Sequence, residues 1–147
     1  EKIHTEMRGS TVYGGDVLLN ITGASIGRCA VVPNDFPESN VNQHVCIIRP
    51  TNSLCNNFLG IWLSSDYGQD QIMRFQAGGN REGLNFEQIR SIQIPVPPMQ
   101  EQEKISEVVH SIQVLISEVQ SKLTQTQSLK KSLMQELLTG KVRVTVS

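Results

Sequence analysis

The sequence predicts an α+β fold, a small mixed α/β domain followed by one long α-helix, on three observations. All 11 glycines but one lie before residue 94, together with the aromatics and a series of short apolar runs. Residues 99–139 contain no glycine, no proline and no aromatic side chain. Between the two stretches stands Pro95-Val96-Pro97-Pro98, whose rings cannot continue a strand ladder or a helix interior. The composition therefore divides the chain into residues 1–97 and 98–147.

Within the first part, Asp16 to Thr22 is rich in β-formers and ends at Gly23-Ala24-Ser25-Ile26-Gly27, whose glycines permit a tight turn. Arg28 to Val32 is its partner strand, stopped by Pro33-Asn34. A third strand runs from Val41 to Arg49 and closes at Pro50. Leu54 to Leu63 carries Leu54, Phe58, Ile61 and Trp62 at helical spacing. Asp66 to Phe75 reads as a second helix with Ile72, Met73 and Phe75 inward, Asp66 as its N-cap and Asp70 as a surface charge. Residues 78–83 read as a polar, glycine-rich loop. Asn85 then offers an N-cap, with Gln88 three residues on to complete a capping box for a short helix to Arg90. A strand at Ile92 to Val96 is expected to finish this part.

The second part reads as one helix. Pro98 suits its first turn, Glu101 and Glu103 favour the positive end of the dipole, and Gly140 is a natural stop. Ile105, Val109, Ile112, Ile116, Val119, Leu123, Thr126, Lys130, Leu133 and Leu137 follow 4-3 spacing without a slip. A period of about 3.5 residues is the mark of a coiled-coil seam, which needs a partner helix. Some 40 residues at ~1.5 Å each make a rod of about 60 Å, too long for the first domain to cover. Thr126 and Lys130 interrupt the seam and can set its register. Gln100, Gln102, Gln113, Gln120, Gln125 and Gln127 are read as residues of the solvated face.

Composition excludes several classes. With 13 basic and 14 acidic residues the net charge is −1, so any nucleic-acid contact must use a local basic face. Cys29, Cys46 and Cys55 form an odd set without a C-x-x-C pair, which speaks for small buried hydrophobes and against a disulfide framework or zinc site. His4, His44 and His110 are too scattered for a metal cluster. No stretch approaches the roughly 18 apolar residues of a membrane helix, and a cytoplasmic protein is expected. Catalysis lacks a P-loop, a G-x-S-x-G elbow, a carboxylate pair or a glycine-rich site for S-adenosylmethionine.

Several segments resemble the specificity subunit of type I restriction–modification systems. Gly15-Asp16-Val17-Leu18-Leu19 with Thr22-Gly23-Ala24-Ser25-Ile26-Gly27-Arg28 is similar to the family's G-D-[IV]-L run and [ST]-G-[AS]-x-I-G-[KR] turn. Val41-Asn42-Gln43-His44-Val45 resembles its N-Q-x-hydrophobic strand. Ile92 to Gln102 resembles the I-P-[LV]-P-P-x-x-E-Q junction before a conserved spacer helix, and Leu133 to Val144 resembles the carboxyl end of such subunits. The resemblance implies that residues 1–97 are the distal part of a DNA target-recognition domain and 98–147 the spacer helix and tail. It implies a longer parent subunit with two recognition domains, each reading half of a split target.

The same resemblance implies a non-catalytic partner of double-stranded DNA, of methyltransferase and restriction subunits, and of a second spacer helix from the same parent or a second copy. S-adenosylmethionine, ATP and magnesium are then expected on the partner subunits and none on this chain. Direct readout needs Arg, Lys, Asn and Gln at base edges. Arg74, Gln76, Asn80, Arg81 and Asn85 around the glycine loop are the foremost candidates, joined by Ser25, Arg28 and Gln43. Each carries a structural alternative: Gly23 and Gly27 can simply close a hairpin, and Asn42-Gln43 can order a loop through its backbone. Two other functions stay open, a coiled-coil interaction module without DNA affinity and the specificity tail of a fused restriction–methylation enzyme.

Overall fold

A computed structural model describes residues 8–77 and 83–145 of the chain. Its organising element is strand β2. Five short strands occur in chain order: β1 (Thr11–Val12), β2 (Val17–Asn20), β3 (Cys29–Val31), β4 (Ser39–Asn40) and β5 (Val45–Ile48). β2 lies between β3 and β5 in an antiparallel sheet, with Leu18 opposite Ala30 on one side and Ile47 on the other. β1 and β4, neither foreseen from the sequence, form a separate antiparallel pair. Alternation along β2 sends Val17 and Leu19 inward, both fully buried.

Helices α1 (Asn56–Ser64) and α2 (Asp66–Ala77) cover that inner face. Leu59 and Leu63 of α1 pack on Val17, and Ile72 of α2 packs with Leu84 on Leu19. The expected inward set is corrected in part. Phe58 is buried and Leu54 and Trp62 pack on the core as expected, but in α1 the residues driven fully inward are Leu59 and Leu63, while Ile61 is only half-buried. In α2 Met73 is 63% exposed, because a step of about 100° turns it away from the face that Ile72 buries. Ser65, rather than Asp66, caps α2: its hydroxyl accepts from Gly68 N–H at 3.4 Å and donates to Trp62 C=O at 2.6 Å, joining the two helices.

The next two elements divide between agreement and correction. Helix α3 (Phe86–Arg90) starts with the expected capping box, Asn85 and Gln88 each accepting from the other's backbone N–H. Residues 92–96 form no strand. Ile92 and Ile94 do pack on the core, but Gln93 is held by the side chain of Gln71, which donates to its carbonyl and accepts from its N–H at 3.0 and 2.9 Å. A side-chain amide thus takes the place of a neighbouring strand, and the prolines that follow have no N–H to extend a ladder.

Helix α4 spans Met99–Leu138, 40 residues without a break. It ends where Gly140 takes a φ of +73°, with Gly140 N–H donating to Leu137 C=O and Val142 N–H to Glu136 C=O. The chain forms two compact units, residues 1–107 and 108–147, so the division falls inside α4. In the first unit the opening turns of α4 bury Gln102 and Ser106. Gln102 corrects the expectation of a solvated glutamine. Fully buried, its amide accepts from Cys55 N–H at 2.8 Å and donates to the carbonyls of Ser53 at 3.0 Å and Pro97 at 2.7 Å. Cys55 is the N-cap of α1 and has no side-chain cap of its own, so one amide satisfies a helix start and two loop carbonyls.

The entry to β2 is fixed by a second polar group. Asp16 is buried at 3% exposure and binds Arg49 through both oxygens, at 2.8 and 3.2 Å. One oxygen also accepts from Tyr13 N–H at 2.8 Å, while Arg49 donates to Thr11 C=O at 2.6 Å and lies 4.8 Å over the Tyr13 ring. The hydrogen bond to Asp16 raises the Arg49 pKa above its ordinary value, the bound carboxylate favouring the charged guanidinium.

Two substitutions test these anchors. Arg49→Met leaves the Asp16 carboxylate buried without its cation and should cost about 2 kcal/mol, lowering the urea midpoint by about 1 M as followed by Trp62 fluorescence. Gln102→Leu, which keeps bulk and removes three hydrogen bonds, should cost about 2–3 kcal/mol in the same assay. A loss below about 0.5 kcal/mol, ordinary for a solvated surface position, would restore the surface reading of Gln102.

Candidate nucleic-acid interface

Three chain segments meet where β2 ends. Ile21 donates its N–H to His44 C=O at 2.8 Å, and its own carbonyl accepts from Leu84 N–H at 2.8 Å. The loop leaving β2, the turn entering β5 and the segment after residues 78–82 are therefore tied to one residue. Gly83 shows how close the third approach is. Its φ is +136°, and a Cβ there would stand 2.4 Å from Ile21 C=O, so no larger residue fits without displacing backbone. The Thr22 hydroxyl and the His44 Nδ1 are hydrogen-bonded across the first two segments.

The hairpin loop carries Ser25 and Arg28. Gly23 and Gly27 have φ values of +74° and +86°, and a short 3-10 turn at Gly23–Ser25 lies between β2 and β3. Asn20 and Gly27 close the hairpin through Asn20 N–H to Arg28 C=O and Gly27 N–H to Asn20 C=O, at 2.8 and 2.9 Å. Gln69 of α2 braces the turn, donating to Gly27 C=O at 3.0 Å and to Leu63 C=O at 2.7 Å. Ser25 is half-buried and Arg28 exposed.

In the turn before β5, Asn42 accepts from His44 N–H at 3.0 Å, the local backbone ordering that short amides provide. This side-chain bond curls residues 42–44 out of the expected third strand, which begins only at Val45. Gln43 is exposed, and its Nε2 lies 3.4 Å from the His44 Nε2.

At the far end of α2, Arg74 is exposed and Gln76 half-buried. Gln88 donates to Phe75 C=O at 3.3 Å, which holds α3 against that end. Asn85 is exposed, yet its side-chain oxygen is engaged by Gln88 N–H in the capping box. Asn80 and Arg81 lie outside the described residues. Hydrogen bonds thus bring Gln43, His44, Thr22 and the start of the 84–90 segment together at one end of the sheet, with Ser25 and Arg28 on the adjoining loop. Arg74 and Gln76 lie on the same helix as Gln69, which is bonded to the hairpin loop, and flank Phe75, whose carbonyl accepts from Gln88.

The roles of Gln69, Gln102 and the Thr22–His44 pair were missed in the sequence. Each is a long-range bond from a polar side chain, and no periodicity announces such a bond.

In α4 the 4-3 positions form one stripe. Ile105 and Val109 are half-buried, whereas Ile112, Ile116, Val119, Leu123, Leu133 and Leu137 are 42–64% exposed. Thr126 turns its hydroxyl back to Lys122 C=O at 2.8 Å and Lys130 is exposed. Full burial of one such Leu or Ile is worth about 1.5–3 kcal/mol.

Comparison with known proteins places these features. Residues 8–139 match the family described as the type I restriction modification DNA specificity domain. The chain is 27% identical over 139 residues to the Escherichia coli type I restriction enzyme EcoBI specificity subunit, covering 94% of this chain and 29% of that protein. It is 32% identical over 134 residues to the MjaVIII specificity subunit of Methanocaldococcus jannaschii, covering 88% of this chain and 32% of the relative. The chain thus spans about a third of the length of these relatives.

Two solved structures share the fold. A chain from a type I restriction–modification assembly superimposes with a TM-score of 0.70 at 21% identity, over 86% of this chain and 30% of that one. The HsdS subunit from Thermoanaerobacter tengcongensis gives 0.68 at 24%, over 85% and 33%.

The capping role of Asn85 can be separated from any role in binding. Asn85→Ala should destabilise the domain by about 1 kcal/mol, and Asn85→Ser should recover most of that loss in thermal unfolding. Equal stability of the two variants would remove the cap as the reason for this residue.

Proposed function

Since the chain belongs to the type I restriction–modification DNA specificity domain family, we propose that it reads DNA sequence on behalf of such a complex. The observation that carries this reading is the family match from residue 8 to 139, which takes in the globular unit from residue 8 on and the whole of the long helix. Residues 1–97 serve as the distal part of a target-recognition domain that reads one half of a bipartite site. Residues 98–147 serve as the spacer helix and tail, pairing along the Ile105–Leu137 seam with a second spacer helix from the parent subunit or another copy. Methyltransferase and restriction subunits dock on this framework and bring S-adenosylmethionine, ATP and magnesium. The chain itself makes and breaks no bonds, and it works in the cytoplasm.

The geometry supports a division of labour. Arg28 and Arg74 are exposed cations and suit phosphates; Gln43 and Gln76 suit base edges. Phosphate contact by a few arginines is compatible with a net charge of −1, because DNA senses the local face. Amide readout needs no net charge at all.

Two measurements test the proposal. With the full-length subunit, affinity for duplex DNA should fall steeply with salt, and Arg28→Ala with Arg74→Ala should reduce the log–log slope by about 0.9 for each phosphate lost. A flat salt dependence points instead to an interaction module without DNA affinity. Removing one heptad from α4 shortens it by ~10 Å. Preferred half-site spacing should then change by about one to three base pairs at ~3.4 Å each, while base preference within each half persists. Unchanged spacing would falsify the ruler role.

A further inference from the structure

We propose that Gln43 reads an adenine in the DNA target, and that His44 and Thr22 are positioning residues that aim its amide. The assignment rests on the proposed DNA-reading function and names the base that one of its residues reads. Gln43 is exposed beside the point where the three loop segments are tied to Ile21. Its backbone is held on both sides, by the Asn42 side chain bonded to His44 N–H and by Val45 N–H bonded to Asn42 C=O at 3.2 Å. Its side chain approaches the His44 ring, with Nε2 3.4 Å from His44 Nε2, a long hydrogen bond that biases the amide toward one orientation.

With the Gln43 amide nitrogen facing His44, the chain of bonds runs in one direction. Glutamine Nε2 can only donate, so His44 Nε2 accepts, which places the ring proton on Nδ1. Nδ1–H then donates to the Thr22 hydroxyl oxygen, a residue 22 positions away on the loop leaving β2. The relay runs Gln43 to His44 to Thr22 and is anchored on the most constrained backbone of the site. It uses one of the two amide hydrogens of Gln43. The other hydrogen and the Oε1 remain as a donor–acceptor pair on one edge.

That edge has one matching partner in the major groove. Adenine presents an N6 donor and an N7 acceptor, which a glutamine amide meets with two hydrogen bonds, whereas guanine presents two acceptors there. An amide free to rotate would pay for its own ordering on binding, and the relay supplies that order in advance. The loop brings Gln43 to the reading face, and the relay selects which way its amide points.

The test is selection from a randomised duplex library by the full-length subunit in its methyltransferase complex, comparing base preference position by position. Gln43→Ala should lose about tenfold or more of the discrimination for adenine at a single position, leaving other positions and the salt slope intact. Thr22→Val removes the hydroxyl but keeps the shape. It should weaken preference at the same position by a smaller factor, and Thr22→Ser should restore it. Wild-type complex that selects no sequence overturns the DNA-reading function and this assignment together. Selection by wild type with Gln43→Ala unchanged, or with a preference lost for a base other than adenine, overturns the assignment alone. If Thr22→Val shifts every position equally, or only the melting temperature, the relay is structural and the positioning role fails.

Discussion

The whole arrangement counts from one buried carboxylate. Asp16, held by Arg49 and by Tyr13 N–H, fixes the residue at which β2 begins. A strand alternates its faces with a period of two, so that starting point decides that Val17 and Leu19 face the helices. A slip of one residue would expose both and bury Leu18 and Asn20 instead. The same count places Ile21 and Thr22 at the exit of the strand, where the other two loop segments are pinned. Stability at one end of β2 and the geometry of the loop cluster at the other are therefore set by a single register.

Gln102 does for the helix what Asp16 does for the strand. A buried amide with three bonds is worth little net energy when satisfied and costs heavily when orphaned. Its value lies in specificity: it accepts from the start of α1 and donates to the loops at Ser53 and Pro97, so the opening turns of α4 fit the globular unit in one way. The apolar seam cannot supply that uniqueness. Hydrophobic contact is non-directional, and a stripe of Ile, Val and Leu tolerates several rotations that a three-way amide does not. The two kinds of residue are complementary, one for strength and one for aim.

Legibility in the sequence followed the range of the interactions. The long helix, the β2–β3 hairpin and the Asn85–Gln88 capping box were readable because each is specified within a few residues, by heptad spacing, paired glycines or a cap motif. The β1–β4 pair was not, since two-residue strands carry no period. Residues 92–96 have the apolar alternation of a strand and lack one, because Gln71 rather than a neighbouring backbone meets Gln93. Met73 and Gln102 were misplaced for the converse reason. Side-chain type suggested their side of the helix, and packing decided otherwise. Of the candidate contacts, residue type made the loop amides and arginines legible, whereas the bonds that gather them at Ile21 join residues 23 and 63 positions apart.

On the proposed function, reading a split DNA site sets two tolerances at once, and the two parts of this chain suit one each. Base readout is lost with an error of about an ångström in an amide, because hydrogen bonds weaken steeply outside 2.7–3.2 Å. Such accuracy comes only from rigid, short-range supports of the kind seen at Ile21, Gly83 and the Thr22–His44 pair. Half-site spacing tolerates more, since duplex DNA steps by ~3.4 Å per base pair. A helix rising ~1.5 Å per residue can set that coarser distance without any precise contact of its own. On that proposal the fine tolerance belongs on the cross-braced sheet end and the coarse one on the long helix, and composition changes abruptly at Pro95–Pro98 between them. Glycine, amide and aromatic residues build the first; an unbroken run of helix formers builds the second.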